Sequence, residues 1–352
     1  MRYIGVDLAK RAFTVCFLTE DDTTELATYL MTPDGLAAFR ERLAPDDRLA
    51  VEVGTNAYFF HDQVVDAVAD ITLVSTYQFA VIAKSKKKTD RADAVLLARF
   101  LKLDYLPRVV MPAPQMRELR QLFTAREALV SMSRGFKNMG HAALARNGIA
   151  VTRAAFASGA GRARLARLAG LAPVDRQVLD MVLRQLDTLD REITELERSI
   201  IRTGRHLPGL KRLLQVRGLG LVAAIGVLSE IGDITRFPTA KQLTAYARLT
   251  TAVRQSGATD HHGHITKQDR KRLRGFMVEA VLSMIRQPAE GANSIVDFYH
   301  RKKREKGAGK AICAAARKLL AVIHVMLTKE LDYWFLEERL YQKKLNELTR
   351  AA

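Results

Sequence analysis

Residues 2–8, RYIGVDL, residues 12–18, AFTVCFL, and residues 25–31, ELATYLM, follow one another with only short polar joints between them. Each run is rich in β-branched, aromatic and aliphatic residues bounded by charged or turn-forming ones, so the stretch predicts three consecutive strands. One charge interrupts the first. Asp7 lies among Ile, Gly, Val and Leu, where a buried, unpaired carboxylate is costly. Either it faces water at a strand edge, or a partner such as a metal ion compensates it.

Outward from these strands the pattern becomes mixed α/β. TPDGLAAFRERL (32–43) reads as a helix, RLAVEVG (48–54) as a strand, AYFFHDQVVDAVAD (57–70) as a helix and ITLVST (71–76) as a strand. The segment through KKKTDRADAVLLARFL (86–101) is mostly helical. The order β-β-β-α-β-α-β-α is that of a ribonuclease-H-like domain, in which strands one and four are central neighbours. Asp7 then lies on the first strand, Glu52 on the fourth, and Asp90 with Asp93 on the last helix. Four carboxylates from distant positions are expected at one edge of the sheet.

KKKTDRADA (86–94) supports two readings. Thr89 or Asp90 can cap the helix, with acids in its first turn favoured by the dipole. Asp90 and Asp93, three apart, also share a helix face and can hold one hard cation between them. Lys86, Lys87 and Lys88 are either phosphate contacts beside that cation or a solvated charge run.

The 352 residues hold 56 Lys and Arg against 38 Asp and Glu, a net charge of +18, which points to a polyanionic partner, most often nucleic acid. The excess is uneven: residues 1–80 hold 6 basic and 13 acidic side chains, leaving 50 and 25 for the rest. Cys16 and Cys313, far apart among apolar neighbours, read as small buried hydrophobes in a reducing compartment, with no disulfide framework. MRYIGVDLAK lacks the apolar core of a signal peptide, and no apolar run is expected to reach the ~18 residues of a membrane span, so a cytosolic bacterial-type protein without membrane contact is the plain reading.

LPRVVMPAP (106–114) reads as a proline-rich linker, after which the chain turns helical. MRELRQLFTAREALVSMSRGFKNMGHAAL (116–144) is a long basic amphipathic helix, and ASGAGRARLARLAG (157–170) a Gly- and Ala-rich basic stretch. Leu179, Val182, Leu186, Leu189, Ile193, Leu196 and Ile200 then recur at alternating spacings of three and four, the seam of a coiled coil. That seam suits a dimerisation arm or an antiparallel hairpin with the preceding helix. In QVRGLGLVAAIGVLSEIG (215–232), Gly218 and Gly220 suit either a helix-hairpin-helix element, whose amides hold a phosphate, or a tight interhelical turn. FPTAKQLTAYARL (237–249) is another helix, TTAVRQSGATDHHGHITKQDRKRLRG (250–275) a polar loop running into a basic helix, and HRKKREKGAGKAICAAARKLLAVIHVML (300–327) a basic turn and an apolar helix.

Taken together, the chain resembles the DEDD-type transposases of bacterial insertion sequences, the IS one-ten group with its IS eleven-eleven branch. YIGVDLAK, VEVGTNAY and KTDRADA match the family's acidic motifs, and VRGLGLVAAIGVLSEIG, RQSG and KAICAAARKLL its carboxy-terminal domain. The resemblance covers nearly the whole chain. It implies an α/β ribonuclease-H-like (RuvC-like) metal-binding catalytic domain at 1–107, a basic helix and coiled-coil arm at 108–205, and a mainly α transposase domain with a hairpin element and a catalytic serine at 206–352.

By motif, Asp7, Glu52, Asp90 and Asp93 are then catalytic acids holding Mg²⁺, two ions with Mn²⁺ able to substitute, and Ser256 is the nucleophile that joins covalently to DNA. The resemblance also implies donor and target DNA, a structured non-coding guide RNA, and a homodimer or homotetramer built through the arm. From the residues alone Ser256 is a turn serine, and Arg254 either steadies the scissile phosphate or is a surface arginine. The chain departs from the family at ITKQDRKRLR, where Asp269 stands in place of a Gly-Asn pair.

His261, His262 and His264 form a histidine cluster without nearby cysteines, which favours solvent- or nucleic-acid-facing roles over zinc. Trp334 is expected in core or interface packing. A kinase of the actin-like fold shares the Gly-x-Asp opening but needs an Asp-Gly-Gly phosphate loop that the sequence lacks. A RuvC-like, metal-dependent junction nuclease would use the same acids without Ser256, and an RNA-binding scaffold would use neither.

Overall fold

A computed structural model of the protein describes residues 1–75, 77, 79, 89–256, 259–265, 271–286 and 293–350, with the backbone alone for 251–256 and 259–265. The chain divides into two compact units, Met1–Met111 and Pro112–Ala352.

In the first unit β1 (Tyr3–Leu8), β2 (Ala12–Leu18) and β3 (Thr24–Leu30) form an antiparallel meander. Helix α1 (Pro33–Arg40) returns the chain to β4 (Arg48–Glu52), which pairs parallel to β1, and α2 (Ala57–Val64) leads to β5 (Asp70–Val74), parallel to β4. The sheet order is β3-β2-β1-β4-β5-β6. The closing strand is a correction to the sequence reading: Arg108–Val109, expected in a linker, forms β6 antiparallel to β5.

Both faces of the sheet are covered, which is why the central strands read as nearly continuous apolar runs. Ile4, Val6, Phe13, Val15, Leu49 and Val51 pack with Phe39 of α1 and Phe60 of α2. Phe39 and Phe60 are fully buried, each worth about 1.5–3 kcal/mol of transfer free energy. On the opposite face Tyr3, Cys16, Leu18 and Ala50 pack against α3 (Asp90–Lys102) through its stripe Ala94, Leu97, Ala98 and Leu101.

The second unit begins with α4 (Pro114–Arg146), which pairs with α6 (Pro173–Gly204); each has proline at its first helical position, where no amide donor is needed. The two run antiparallel: Gln115 donates to the Thr203 carbonyl, Arg126 bonds Glu197, and at the far end Arg146 bonds Asp175. The heptad seam therefore meets a partner from its own chain. Leu179, Val182, Leu186, Leu189 and Ile200 are buried, whereas Ile193 and Leu196 are half-buried. The far end is closed by a 3-10 turn at Arg153–Phe156 and by α5 (Gly159–Ala166), capped by Ser158, which sets Phe156 and Leu165 against α6.

At its near end the pair merges into a core of α7 (Leu210–Leu214), α8 (Leu221–Ile231), α9 (Ala240–Tyr246), α10 (Lys271–Arg286), α11 (Ser294–Lys306) and α12 (Ala308–Thr328). Helix α13 (Glu338–Arg350) lies against α7 and α8. Two expectations are corrected here. The polar loop at 250–275 contains an antiparallel hairpin, β7 (Thr251–Ser256) and β8 (Thr259–Ile265). Helix α12 is long and apolar enough to cross a bilayer, contrary to the sequence reading, yet its Ala315, Ala316, Leu319, Leu320 and Ile323 are fully buried in the core.

Candidate active site

Asp7 and Glu52 are brought together by strand register. Gly5 pairs with Ala50 and Val6 with Val51, so Asp7 and Glu52 occupy the next positions of neighbouring parallel strands, about 4.8 Å apart at the backbone. Side chains alternate along a strand, so both acids share the face that Gly5 and Ala50 present to α3. Gly5 lets the helix sit directly on the sheet: a Cβ there would lie 2.0 Å from the Ala94 carbonyl oxygen and 2.5 Å from the Ala98 nitrogen.

The direction of α3 follows from its far end. Lys102 Nζ donates to the Glu20 carbonyl at 2.7 Å and to Asp22 Oδ1 at 2.8 Å, in the turn after β2. That turn adjoins the start of β1, since Leu18 pairs with Tyr3. The N-terminus of α3 is therefore aimed at the opposite end, where Asp7 and Glu52 lie. Thr89 caps it, its Oγ1 accepting from the Ala92 amide at 3.2 Å, and Asp90 and Asp93 stand in the first turn. The cap is Thr89, and Asp90 and Asp93 stand one turn before Ala94 and Leu97 on the stripe that faces the sheet.

Asp7, Glu52 and Asp93 are half-buried and Asp90 is exposed. Four carboxylates on one edge at a helix N-terminus are a hard-oxygen donor set, which suits Mg²⁺ or Mn²⁺. The backbone sets the four positions toward that edge, and among the described residues no group of three His, Cys, Asp or Glu is placed to hold a metal. Cys16 is fully buried beneath α3, and burial pushes its thiol above the ordinary value.

Ser256 belongs to the second unit, at the last position of β7, where its backbone pairs with Thr259 across the hairpin tip. Arg254 pairs with His261 and Val253 with His262, so the histidine cluster lies on a strand where a loop was expected. The two-residue Gly-Ala joint between alternating segments is the signal that identifies this hairpin. Lys86, Lys87 and Lys88, and the departure at Asp269, lie outside the described residues.

Gly218 and Gly220 join α7 to α8 and differ in use. Gly218 has φ 84° and its Cβ position lies 2.3 Å from the Ala280 carbonyl oxygen, so it is needed for packing on α10. Gly220 is exposed at the N-cap of α8, with nothing within 4 Å of its Cβ position. The carbonyls at the end of α7 are satisfied from afar: buried Lys344 of α13 donates to Leu214 at 2.8 Å and Val216 at 2.9 Å. Burial pushes this amine down to about 8. Sequence reasoning missed Lys344, since a lysine in LYQKKLNEL reads as solvated, and missed Gly5, which a glycine inside an apolar strand does signal.

Two family models match in order along the chain. A DEDD transposase model of the IS110 group, described as "Transposase", spans residues 4–147, and the model "Transposase IS116/IS110/IS902 family" spans 210–295. The chain belongs to the IS110 family of DEDD transposases. Membership makes it an enzyme that acts on DNA, and a DEDD domain implies dependence on a divalent metal. The transposase is 22% identical over 333 residues to the "Probable family 20 transposase" of Pseudomonas aeruginosa, covering 94% of this chain and 98% of that one. It is 21% identical over 341 residues to the "Transposase for insertion sequence element IS1111A" of Coxiella burnetii, covering 95% and 91%. It is also 24% identical over 369 residues to the "Pilin gene-inverting protein" of Moraxella lacunata, covering 98% and 99%.

Proposed function

We propose that this transposase excises and inserts its element by site-specific, RNA-guided recombination, using Asp7, Glu52, Asp90 and Asp93 to hold two Mg²⁺ ions and Ser256 as the nucleophile. The observation that carries the acidic half is the convergence of β1, β4 and the N-terminus of α3 on one edge. The serine half is supported by the match of RQSG to the family motif, and the guide RNA by the same resemblance together with the net charge of +18.

When bound, the metal offsets charge on the scissile phosphate and the leaving oxygen. Ser256 Oγ bonds to phosphorus as the bond from phosphorus to the 3′ oxygen breaks. The serine proton passes to solvent, and the 3′ oxygen takes one up. The phosphoserine ester conserves the energy of the broken bond for rejoining. Lys86, Lys87, Lys88, Arg254 and the exposed amides at Gly220 bind phosphates around the reacting one, with Gly218 shaping the turn. Residues 1–107 supply the metal site, 108–205 the arm that joins subunits into a dimer or tetramer, and 206–352 the serine. The reaction takes place in the bacterial cytoplasm.

The test is a denaturing gel of protein, Mg²⁺, element-derived RNA and end-labelled donor DNA. A protease-sensitive, slow-migrating adduct present in wild type and absent in Ser256→Ala is the expected result. Free cleaved ends in both samples, with no adduct, would replace this reading with that of a metal-dependent junction nuclease. Equal affinity for random RNA and for RNA from the element ends would remove the guide.

A further inference from the structure

The second unit contains a cleft that neither the four acids nor Ser256 explains. It has a volume of about 670 Å³ and lies where the end of α6, α7 and the segment leading into α13 meet. Its lining includes Arg205, His206, Lys211 and Arg212, with Leu336 and Tyr341. Asp332, Leu336 and Tyr341 of its lining lie beyond the last residue of either family match.

The lining acid is largely engaged. Asp332 accepts from Gln215 Nε2 at 2.8 Å, while Glu330, 79% exposed, reaches Arg212 only at 3.4 Å. Lys211 is exposed and makes no hydrogen bond or ion pair with a described side chain. Between Asp332 and Leu336 in sequence stands Trp334, expected in packing but 58% exposed, with its ring tilted against Tyr333.

We propose that this cleft binds a single-stranded segment of nucleic acid, with its backbone on Arg205, Lys211 and Arg212 and a base against Tyr341 or Trp334. A basic track beside exposed aromatic faces is the arrangement that single strands use, because unpaired bases offer a π-face that a duplex keeps stacked. The volume suits one or two nucleotides, within the usual range of small-molecule pockets. This rests on the protein acting on nucleic acid and not on the serine or metal reading.

Trp334 is the only tryptophan in the chain and stands two residues from the lining residues Asp332 and Leu336, so its fluorescence reports on the segment that borders the cleft. Full-length protein in metal-free buffer is titrated with the octamers of uridylate and of deoxythymidylate, a duplex of equal length, and uridine monophosphate, following tryptophan fluorescence. Quenching by a single-stranded octamer at concentrations where duplex and mononucleotide have no effect is the expected result, weakened roughly tenfold in Lys211→Glu. Trp334→Ala, followed by anisotropy of a labelled octamer, should weaken binding similarly. A tighter ribose octamer assigns the cleft to RNA, and a tighter deoxyribose octamer to an opened DNA strand. No quenching, equal quenching by duplex or mononucleotide, or indifference to Lys211→Glu overturns the proposal. Ser256→Ala and Asp90→Asn should leave the quenching intact, so loss of the covalent adduct and loss of this site are separate outcomes.

Discussion

Gly5 has no side chain, and α3 occupies the space one would need. With only 2.0 Å between a Cβ and the Ala94 carbonyl oxygen, Gly5→Ala must lift the helix or bend the strand, a strain of about 1–3 kcal/mol. Because Asp90 and Asp93 ride on that helix and Asp7 stands two residues along the strand, the same methyl group also separates the acids. Gly5→Ala is expected to lower the urea midpoint and raise the Mg²⁺ concentration needed for DNA cleavage, both measurable on the purified protein. Substitutions nearby should divide these effects. Asp93→Asn should reduce cleavage roughly 10²- to 10³-fold with little change in the midpoint. Thr89→Ala should cost about 1 kcal/mol of stability by removing the cap. A drop in stability without loss of cleavage in Asp93→Asn would reverse the roles given to the two residues. Asp7 and Glu52 stood out in the sequence because each interrupts an apolar strand, and Asp90 with Asp93 because they share a helix face; the packing role of Gly5 depends on a helix more than eighty residues away, which no local pattern encodes.

At the scale of elements, the α4–α6 pair and the α7–α13 contact behave differently. Arg162 is buried at the far end of the pair and bridges α5 to α6, bonding Asp187 at 2.8 Å, Asp190 at 2.7 Å and the Phe156 carbonyl at 3.0 Å. Removing it leaves the buried Phe156 carbonyl without its donor, while the exposed Asp187 and the half-buried Asp190 return to water, so Arg162→Ala should cost about 1–3 kcal/mol and appear as faster hydrogen exchange across residues 153–166. Retained protection there would show that Phe156 and Leu165 alone hold the cap. The α7–α13 contact is sensitive to pH. Lys344 has an ordinary value of 10.5 and is pushed to about 8, chiefly by burial. Below pH 8 both folded and unfolded chains carry the proton and the burial penalty, on the order of 3 kcal/mol, is present in full. Between about 8 and 10.5 the unfolded chain binds a proton that the folded one has released, so stability rises with pH. Urea unfolding from pH 7.5 to 10 should show that rise in wild type and a flatter profile in Lys344→Met. The heptad pattern announced a helical partner for α6 but not its source, because an apolar seam is equally satisfied by its own chain or a second one. The β7–β8 hairpin was hidden by its polar composition, since strand propensity is weak where neither face is apolar.

For the whole molecule, charge and sheet order were the legible features. The order β3-β2-β1-β4-β5 follows from counting strands and helices, whereas β6 is too short to leave a pattern. A net charge of +18 predicts DNA affinity that falls linearly in log–log form with salt, by orders of magnitude between 50 and 200 mM, as filter binding would measure. A flat response would mean that the positive charges do not meet phosphates. The apolar length of α12 has a separate consequence for how the protein is made. Free of its neighbours, that helix is as suited to a lipid bilayer as to a protein interior. Its partners α7, α9, α10 and α11 all precede it in the chain, and domains fold as units from the N-terminal side during synthesis. The ribosome thus delivers the segment that could stray to a membrane only after the helices that cover it already exist.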